Sequence, residues 1–311
     1  MPVFKLEELT YQELERFPPD KTVFFLVISP LEEHAPHLPI GTDIFIASYF
    51  AQKTAEEFCQ NRPDWNVVLF PSIPLGANVF RFKGSVRHSI KAVYDVLLPC
   101  GKSIADWGYK FLVIISSHGG GGHIAVLEEA AARITKKHKV KTISLTGVMA
   151  VNFLLGKYTE RIQSALYKRL DEEEAKNLKY DYHAGWWETS MMMMIKPELV
   201  KEKYKELPPV LIENPLQLRA DAALKLGQGL GYFGTPSFAD IKLAEASYKV
   251  LKEEGLMILY RFIDGEDVRK QTQSVLYKSL MFRLSFRKYV LIGLLFLALG
   301  LTIVILRQLI K

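Results

Sequence analysis

The run Phe111–Ser117, FLVIISS, constrains the fold more than any other feature of this chain. A near-continuous apolar run of this length reads as a strand buried on both faces, the kind found in parallel sheets. Parallel neighbours need crossovers, and crossovers place helices on both sides of the sheet. The flanking sequence agrees. Thr22–Ser29, Asn66–Pro71 and Val140–Thr146 read as further strands. Between them, Asp43–Phe58 (capped by Thr42 or Asp43), Ile90–Tyr109 and His123–His138 carry helical patterns. This β-α-β-α-β order predicts an α/β fold, a three-layer α/β/α arrangement with a mostly parallel central sheet. Ser72–Ser89 reads as loop, and the charged run Lys168–Lys176 as a solvated helix or an inserted lid. Trp186–Ile195 reads as a helix stopped by Pro197, Pro208–Ser237 as turns, and Phe238–Glu254 as an amphipathic helix closing the domain.

With 311 residues, 49% hydrophobic and 24% charged, the chain can bury one large core, and general disorder is excluded. A net charge of +6, spread along the chain, gives little support to a nucleic-acid partner. Cys59 and Cys100 lie outside any Cys-x-x-Cys pattern and read as ordinary reduced thiols. The acidic N-terminus lacks the apolar core of a secretion signal. Tyr289–Leu306 carries neither charge nor proline, with Arg307 and Lys311 after it. Its length is at the short end for a membrane helix. The expected organisation is therefore a domain over 1–267, a basic juxtamembrane linker over 268–288 and a transmembrane helix over 289–307. More Lys and Arg precede that run than follow it, which predicts a single-pass C-terminal anchor in the cell membrane with the domain cytoplasmic.

The strand Thr22–Ser29 delivers Glu32, Glu33 and His34 to a sheet edge, where α/β enzymes place their chemistry. Alternate residues of extended backbone point the same way, so Glu32 and His34 share a pocket while Glu33 faces away. Two divalent ions side by side need a shared carboxylate flanked by imidazoles and carboxylates. Asp43 is placed to bridge, Glu32 and His118 to complete one ion, and His34 with Glu188 the other. His183, five residues before Glu188, is left to act on a substrate. His88, His123 and His138 read as hydrogen-bonded residues without a catalytic part, and His37 as shaping its turn. The glycine run Gly119–Gly122 lacks the Lys-Ser/Thr of a P-loop, and no Gly-x-Ser-x-Gly elbow exists to pair with an oxyanion element. Close approach of backbone to a metal site at a helix N-terminus is the reading that survives.

Four motifs together carry a resemblance. Leu31–Ile44, LEEHAPHLPIGTDI, resembles the Glu-Gln-His-Gly-Pro-His-Leu-Pro-x-x-Thr-Asp signature of the creatininase (creatinine amidohydrolase) family. Ser117-His118-Gly-Gly-Gly is similar to its Asn-Gly-His-Gly-Gly-Asn motif, and His183–Ser190 to its His-Ala-Gly-x-x-Glu-Thr-Ser motif. Gly231–Ala239 is similar to its C-terminal Gly-x-x-Gly-x-Pro-x-x-Ala element. The resemblance implies an α/β/α fold, often hexameric, with two zinc, manganese or iron ions that cleave amide C–N bonds of small, frequently cyclic molecules. It implies Glu32, His34, Asp43 and His118 as metal ligands, Glu188 as the last carboxylate, and His183 with Glu188 as catalytic. The enzyme class it implies is a hydrolase of carbon–nitrogen bonds other than peptide bonds, acting on a small amide or formamide. Glu33 replaces Gln, Ala35 replaces Gly, Ser116-Ser117 replaces Asn-Gly and Gly121 replaces Asn, so creatinine itself is not the expected substrate. Two alternatives share the fold: a membrane-tethered scaffold without turnover, motivated by those replacements, and a peptidase acting on a modified peptide.

Overall fold

Eight consecutive residues of Thr22–Ser29 are fully or almost fully buried, because this strand lies in the middle of the sheet and is covered on both faces. The computed structural model describes residues 3–166, 169–214 and 217–309; within the last helix some positions are described by backbone alone. The strands are β1 (Val3–Lys5), β2 (Thr22–Ser29), β3 (Asn66–Leu69), β4 (Ile73–Pro74), β5 (Phe111–Ile115) and β6 (Lys141–Ser144). They form a parallel sheet in the order β1-β3-β2-β5-β6, with β4 pairing the end of β2. Val23 stands opposite Val67 on one side and Phe111 on the other.

Period-two alternation divides the strand side chains between two cores. Val23, Phe25, Val27, Val113 and Ile115 face helices α1 (Thr42–Asn61), α4 (Thr146–Leu154) and α8 (Ile241–Ile263). Phe24, Leu26, Ile28, Leu112 and Ile114 face α2 (Ile90–Asp106) and α3 (Gly121–His138). Each such buried side chain contributes about 1.5–3 kcal/mol. The expected α/β/α layering with a parallel sheet is observed.

Several boundaries differ from expectation. The N-terminal β1 was not anticipated, since three residues with only partial burial leave no pattern to read. Helix α8 runs to Ile263, past Gly255, and that glycine permits close helix packing, since a Cβ there would stand 3.0 Å from the Phe50 ring. Helix α3 begins at Gly121, so the last two glycines of the run join its first turn. Residues 151–182 resolve into the end of α4, α5 (Thr159–Leu166) and α6 (Glu172–Lys179), the last capped by Asp171 with a reciprocal bond from Glu174. Of the charged run, Lys168 lies outside the described residues. Helix α7 (Trp186–Ile195) ends before Pro197 as expected.

The membrane expectation is corrected. Tyr289–Leu306 does lie within a helix, α9 (Leu284–Leu309). Among the described residues, however, no helix is long and apolar enough to cross a membrane. The transmembrane helix, the cell-membrane anchor and the cytoplasmic placement drawn from them therefore fall away; Lys311, one of the flanking charges, lies outside the described residues.

Before α9 the chain packs back on α3. Ser274 donates from both its backbone N–H and its hydroxyl to Glu128 Oε2 at 2.9 Å, and the Leu284 N–H reaches Glu129 at 2.7 Å.

Candidate metal centre

All the parallel strands end on one rim, and the loops leaving β2 and β5 meet there. After Ser29 the chain remains irregular through Glu32–His34 and turns at Ala35, whose φ of 59° lies in the left-handed region. Asp43 sits in the first turn of α1. The expected cap by Thr42 or Asp43 is absent: Gly41 is the N-cap, the Thr42 hydroxyl bonds Pro39, and the Asp43 side chain is left to point at the site. A carboxylate there also gains from the helix dipole.

His118 follows β5. Its Nε2–H donates to the Ala77 carbonyl at 3.1 Å, which leaves Nδ1 facing Glu32 Oε2 at 3.1 Å and Asp43 Oδ2 at 3.4 Å. The ring depends on glycine beside it, since a Cβ at Gly120 would fall 2.5 Å from His118 Nε2. His34 is oriented likewise: Nδ1–H donates to the Glu32 carbonyl at 3.0 Å, and Nε2 faces Glu188 Oε2 at 3.6 Å. Glu188, in the first turn of α7, also accepts the Ala184 N–H at 2.6 Å. The His183 ring lies 4.4 Å from that of His34, and its Nε2–H donates to the Glu33 carbonyl at 2.8 Å. Two groups result, Glu32–Asp43–His118 and His34–His183–Glu188, each with its ligand atoms within 4.8 Å of one another. All six sequence-derived residues therefore converge, with His183 beside His34 and Glu188.

The donor set fits divalent ions. Glu32 Oε2, His34 Nε2 and Asp43 Oδ2 are buried without a hydrogen-bond partner among the described residues, an arrangement that is costly unless something else satisfies them. Carboxylate oxygens and neutral imidazole nitrogens are the ligands that zinc and manganese take. Without a cation, the imidazoles carry the balancing charge. Burial pulls His34 down, but Glu188, with Asp43 and Glu32 behind it, outweighs burial and lifts it to about 10. His118 is raised well above its ordinary value against the same burial by Glu32 and Asp43. Burial favours the protonated carboxyl of Glu32, Asp43 and Glu188, yet the neighbouring histidines hold all three below the ordinary range.

Sequence reading misplaced Glu33, missed Asp181, and read His123 as hydrogen-bonded without naming its partners. Glu33 does not face away: it is buried, Oε1 lies 3.6 Å from His183 Nε2, and Oε2 accepts the Ala35 N–H. Extended geometry breaks down at Ala35, and the space Glu33 fills is where a Cβ on Gly231 would stand, 2.3 Å from Oε2. Asp181 accepts the N–H groups of Trp186 and Trp187 and so fixes the start of α7 that carries Glu188. His123 takes the Ala77 N–H on Nδ1 and bonds Ser116 through Nε2 at 3.1 Å. Ser116 in turn bonds Ser29 at 2.9 Å and accepts the His118 N–H, so the network steadies the His118 turn. Spacing alone carries no signal for these contacts across distant segments.

Residues 7–257 match the family described as creatininase, creatinine amidohydrolase. The chain belongs to that family. Among relatives, a mycofactocin precursor peptide peptidase of Mycobacterium ulcerans is 26% identical over 201 residues, 63% of this chain and 67% of that protein. A 2-amino-5-formylamino-6-ribosylaminopyrimidin-4(3H)-one 5'-monophosphate deformylase of Methanothermus fervidus is 30% identical over 158 residues, 46% of this chain and 60% of that protein. The fold is shared with a creatininase variant described as Zn-Zn type, at a TM-score of 0.63 and 16% identity over 87% of this chain and 98% of that one. It is shared too with a creatininase described with Mn, at 0.57 and 17% over 87% and 99%. This creatininase-family chain is accordingly a hydrolase of carbon–nitrogen bonds.

Proposed function

We propose that the protein is a metal-dependent amidohydrolase that uses two divalent ions to hydrolyse an amide or formamide C–N bond of a small substrate. The observation that carries this reading is the pair of buried donor groups, Glu32–Asp43–His118 and His34–His183–Glu188, with three orphaned ligand atoms among them. Glu32, Asp43 and His118 would hold one ion, His34 and Glu188 the other, with Asp43 shared. Bound divalent ions supply Lewis acidity and a nucleophile at neutral pH.

The protein's own residues supply the rest. The fixed tautomers of His34 and His118 present unprotonated nitrogen to the centre once the acidic protons leave. His183, with Nε2–H committed to the Glu33 carbonyl, keeps Nδ1 as the atom that can take a proton from the reacting centre and pass it to the departing nitrogen. Glu188 is the second group within reach of that transfer. General acid–base help of this kind contributes about 10²–10⁴-fold.

The test is hydrolysis by protein loaded with Zn or Mn against a panel of lactams, formamides and short peptides. Turnover that needs metal and falls at least about 10²-fold in His183→Ala supports the reading. Undiminished metal content in Asp43→Ala and His34→Ala would overturn the site. Full loading without turnover on any amide favours a scaffold instead. A peptide amide is the second reading, favoured by the peptidase among the relatives; hydrolysis confined to the peptides would select it.

A further inference from the structure

The turn-shaping role expected of His37 leaves its side chain unexplained: the ring is fully buried and bonds the Thr189 hydroxyl through Nε2 at 2.8 Å, across 152 residues of chain. Thr189 is buried as completely, and its hydroxyl hydrogen goes to the Gly185 carbonyl at 2.6 Å. Thr189 Oγ1 is therefore the acceptor and His37 Nε2–H the donor. Burial, with His34 behind it, pushes the His37 ring down to about 3, so it is neutral and Nε2 carries its one hydrogen. The His37 carbonyl also accepts the Lys201 N–H at 2.9 Å. One residue thus ties the turn after β2 to the start of α7 and to the chain beyond its end. Leu38, next along, shares an apolar cluster with Met191 and Met192 of α7.

His34 stands three residues before His37, and Glu188 one before Thr189, so the bond joins the two segments that carry one donor group. The Nδ1–H bond of His34 to the Glu32 carbonyl orients its ring but does not set its distance from Glu188. That separation, 3.6 Å, depends on where the turn sits on α7. Neighbouring helix positions point about 100° apart, so Thr189 meets the turn while Glu188 faces the centre. His183 also reaches across, to the Glu33 carbonyl, but from the chain ahead of α7. Glu32, Asp43 and His118 have other supports: they follow β2, begin α1 and follow β5. We infer that His37 and Thr189 are a positioning pair that sets His34 against Glu188 and so fixes the affinity of the second ion. The inference rests on the two-ion reading and adds an asymmetry to it: the Glu32–Asp43–His118 group binds its ion with or without the pair, the His34–Glu188 group tightly only with it.

The experiment titrates Zn into the full-length, metal-free protein by calorimetry, with bound metal counted after dialysis. The unaltered protein should show two binding steps. In His37→Phe and Thr189→Val one step should weaken by about 10–100-fold, the usual effect of removing a group that orients a ligand, while the other stays as it was. His37→Phe leaves the Thr189 bond to Gly185 intact and strands no donor, so it should fold even if Thr189→Val does not. Thr189→Ser keeps the hydroxyl and should restore the weakened step, which a purely space-filling role would not do. Both steps unchanged in His37→Phe, both weakened equally, or Thr189→Ser no better than Thr189→Val would each overturn the inference. Turnover is not read. An unaltered protein that takes two ions without hydrolysing any amide therefore fails the proposed activity and not the positioning pair, whereas one that takes fewer than two fails both.

Discussion

Loading the centre with divalent ions should expel protons, and the number is set by the tautomers and charges already described. At pH 7 the free protein holds His34 as imidazolium, its pKa lifted to about 10, and His118 as well. Glu32, Asp43 and Glu188 are held below the ordinary carboxyl range and have no proton to give. Metal ligation requires neutral imidazole. Saturation with Zn or Mn should therefore release about two protons per chain, and nearer three where His183 also joins an ion. The sign follows: acid restores the imidazolium and competes with metal, so apparent affinity falls as pH falls, by about tenfold per unit for each ion and about a hundredfold for the two together. Calorimetric titrations in buffers of different ionisation enthalpy read the count directly. Release of less than one proton, or an affinity flat between pH 6 and pH 8, would refute the charge assignment at the centre.

Gly120→Ala places a Cβ 2.5 Å from His118 Nε2 and 3.1 Å from the carbonyl it bonds; it should cost about 1–3 kcal/mol by thermal unfolding and lower bound metal. Glu128, buried in α3, is pushed up to about 7, chiefly by burial against the bonds from Ser274. Its folded pKa exceeds the unfolded value, so the stability it contributes is fully present below about pH 4.5 and is lost as pH rises through about 7. Denaturant unfolding should show a fall of at most roughly 3 kcal/mol across that window, absent in Glu128→Gln. Asp181→Ala removes the acceptor for Trp186 and Trp187 at the start of α7, and should reduce kcat more than it alters metal content, with a loss of about 1–2 kcal/mol in stability.

How much of this could be read in advance depended on the range over which a signal acts. The β5 run announced a strand covered on both faces because five adjacent apolar residues leave no face for water. The convergence of Glu32, Asp43 and His118 could be anticipated because each follows or begins a strong element, and a parallel sheet brings such ends to one rim. Glu33 was misread because the two-residue alternation stops where Ala35 enters the left-handed region. His123, read as a hydrogen-bonded residue without a catalytic part, is one, but its partners Ala77 and Ser116, through which it braces the His118 turn, are contacts that only tertiary packing creates. The apolar tail invited a membrane assignment from composition alone; it does form a helix, but among the described residues no helix is long and apolar enough to cross a membrane.

The two bonds from residues 274 and 284 to neighbouring glutamates bear on anyone trimming this chain for crystals. A cut after Asp267 would strip Glu128 of both Ser274 donors, stranding a carboxyl sealed inside α3, one turn or two beyond the glycines that shape the His118 loop. A boundary placed after Leu284 keeps that clasp closed; poor yield from the shorter fragment would speak of a broken fastening rather than of an unstable enzyme.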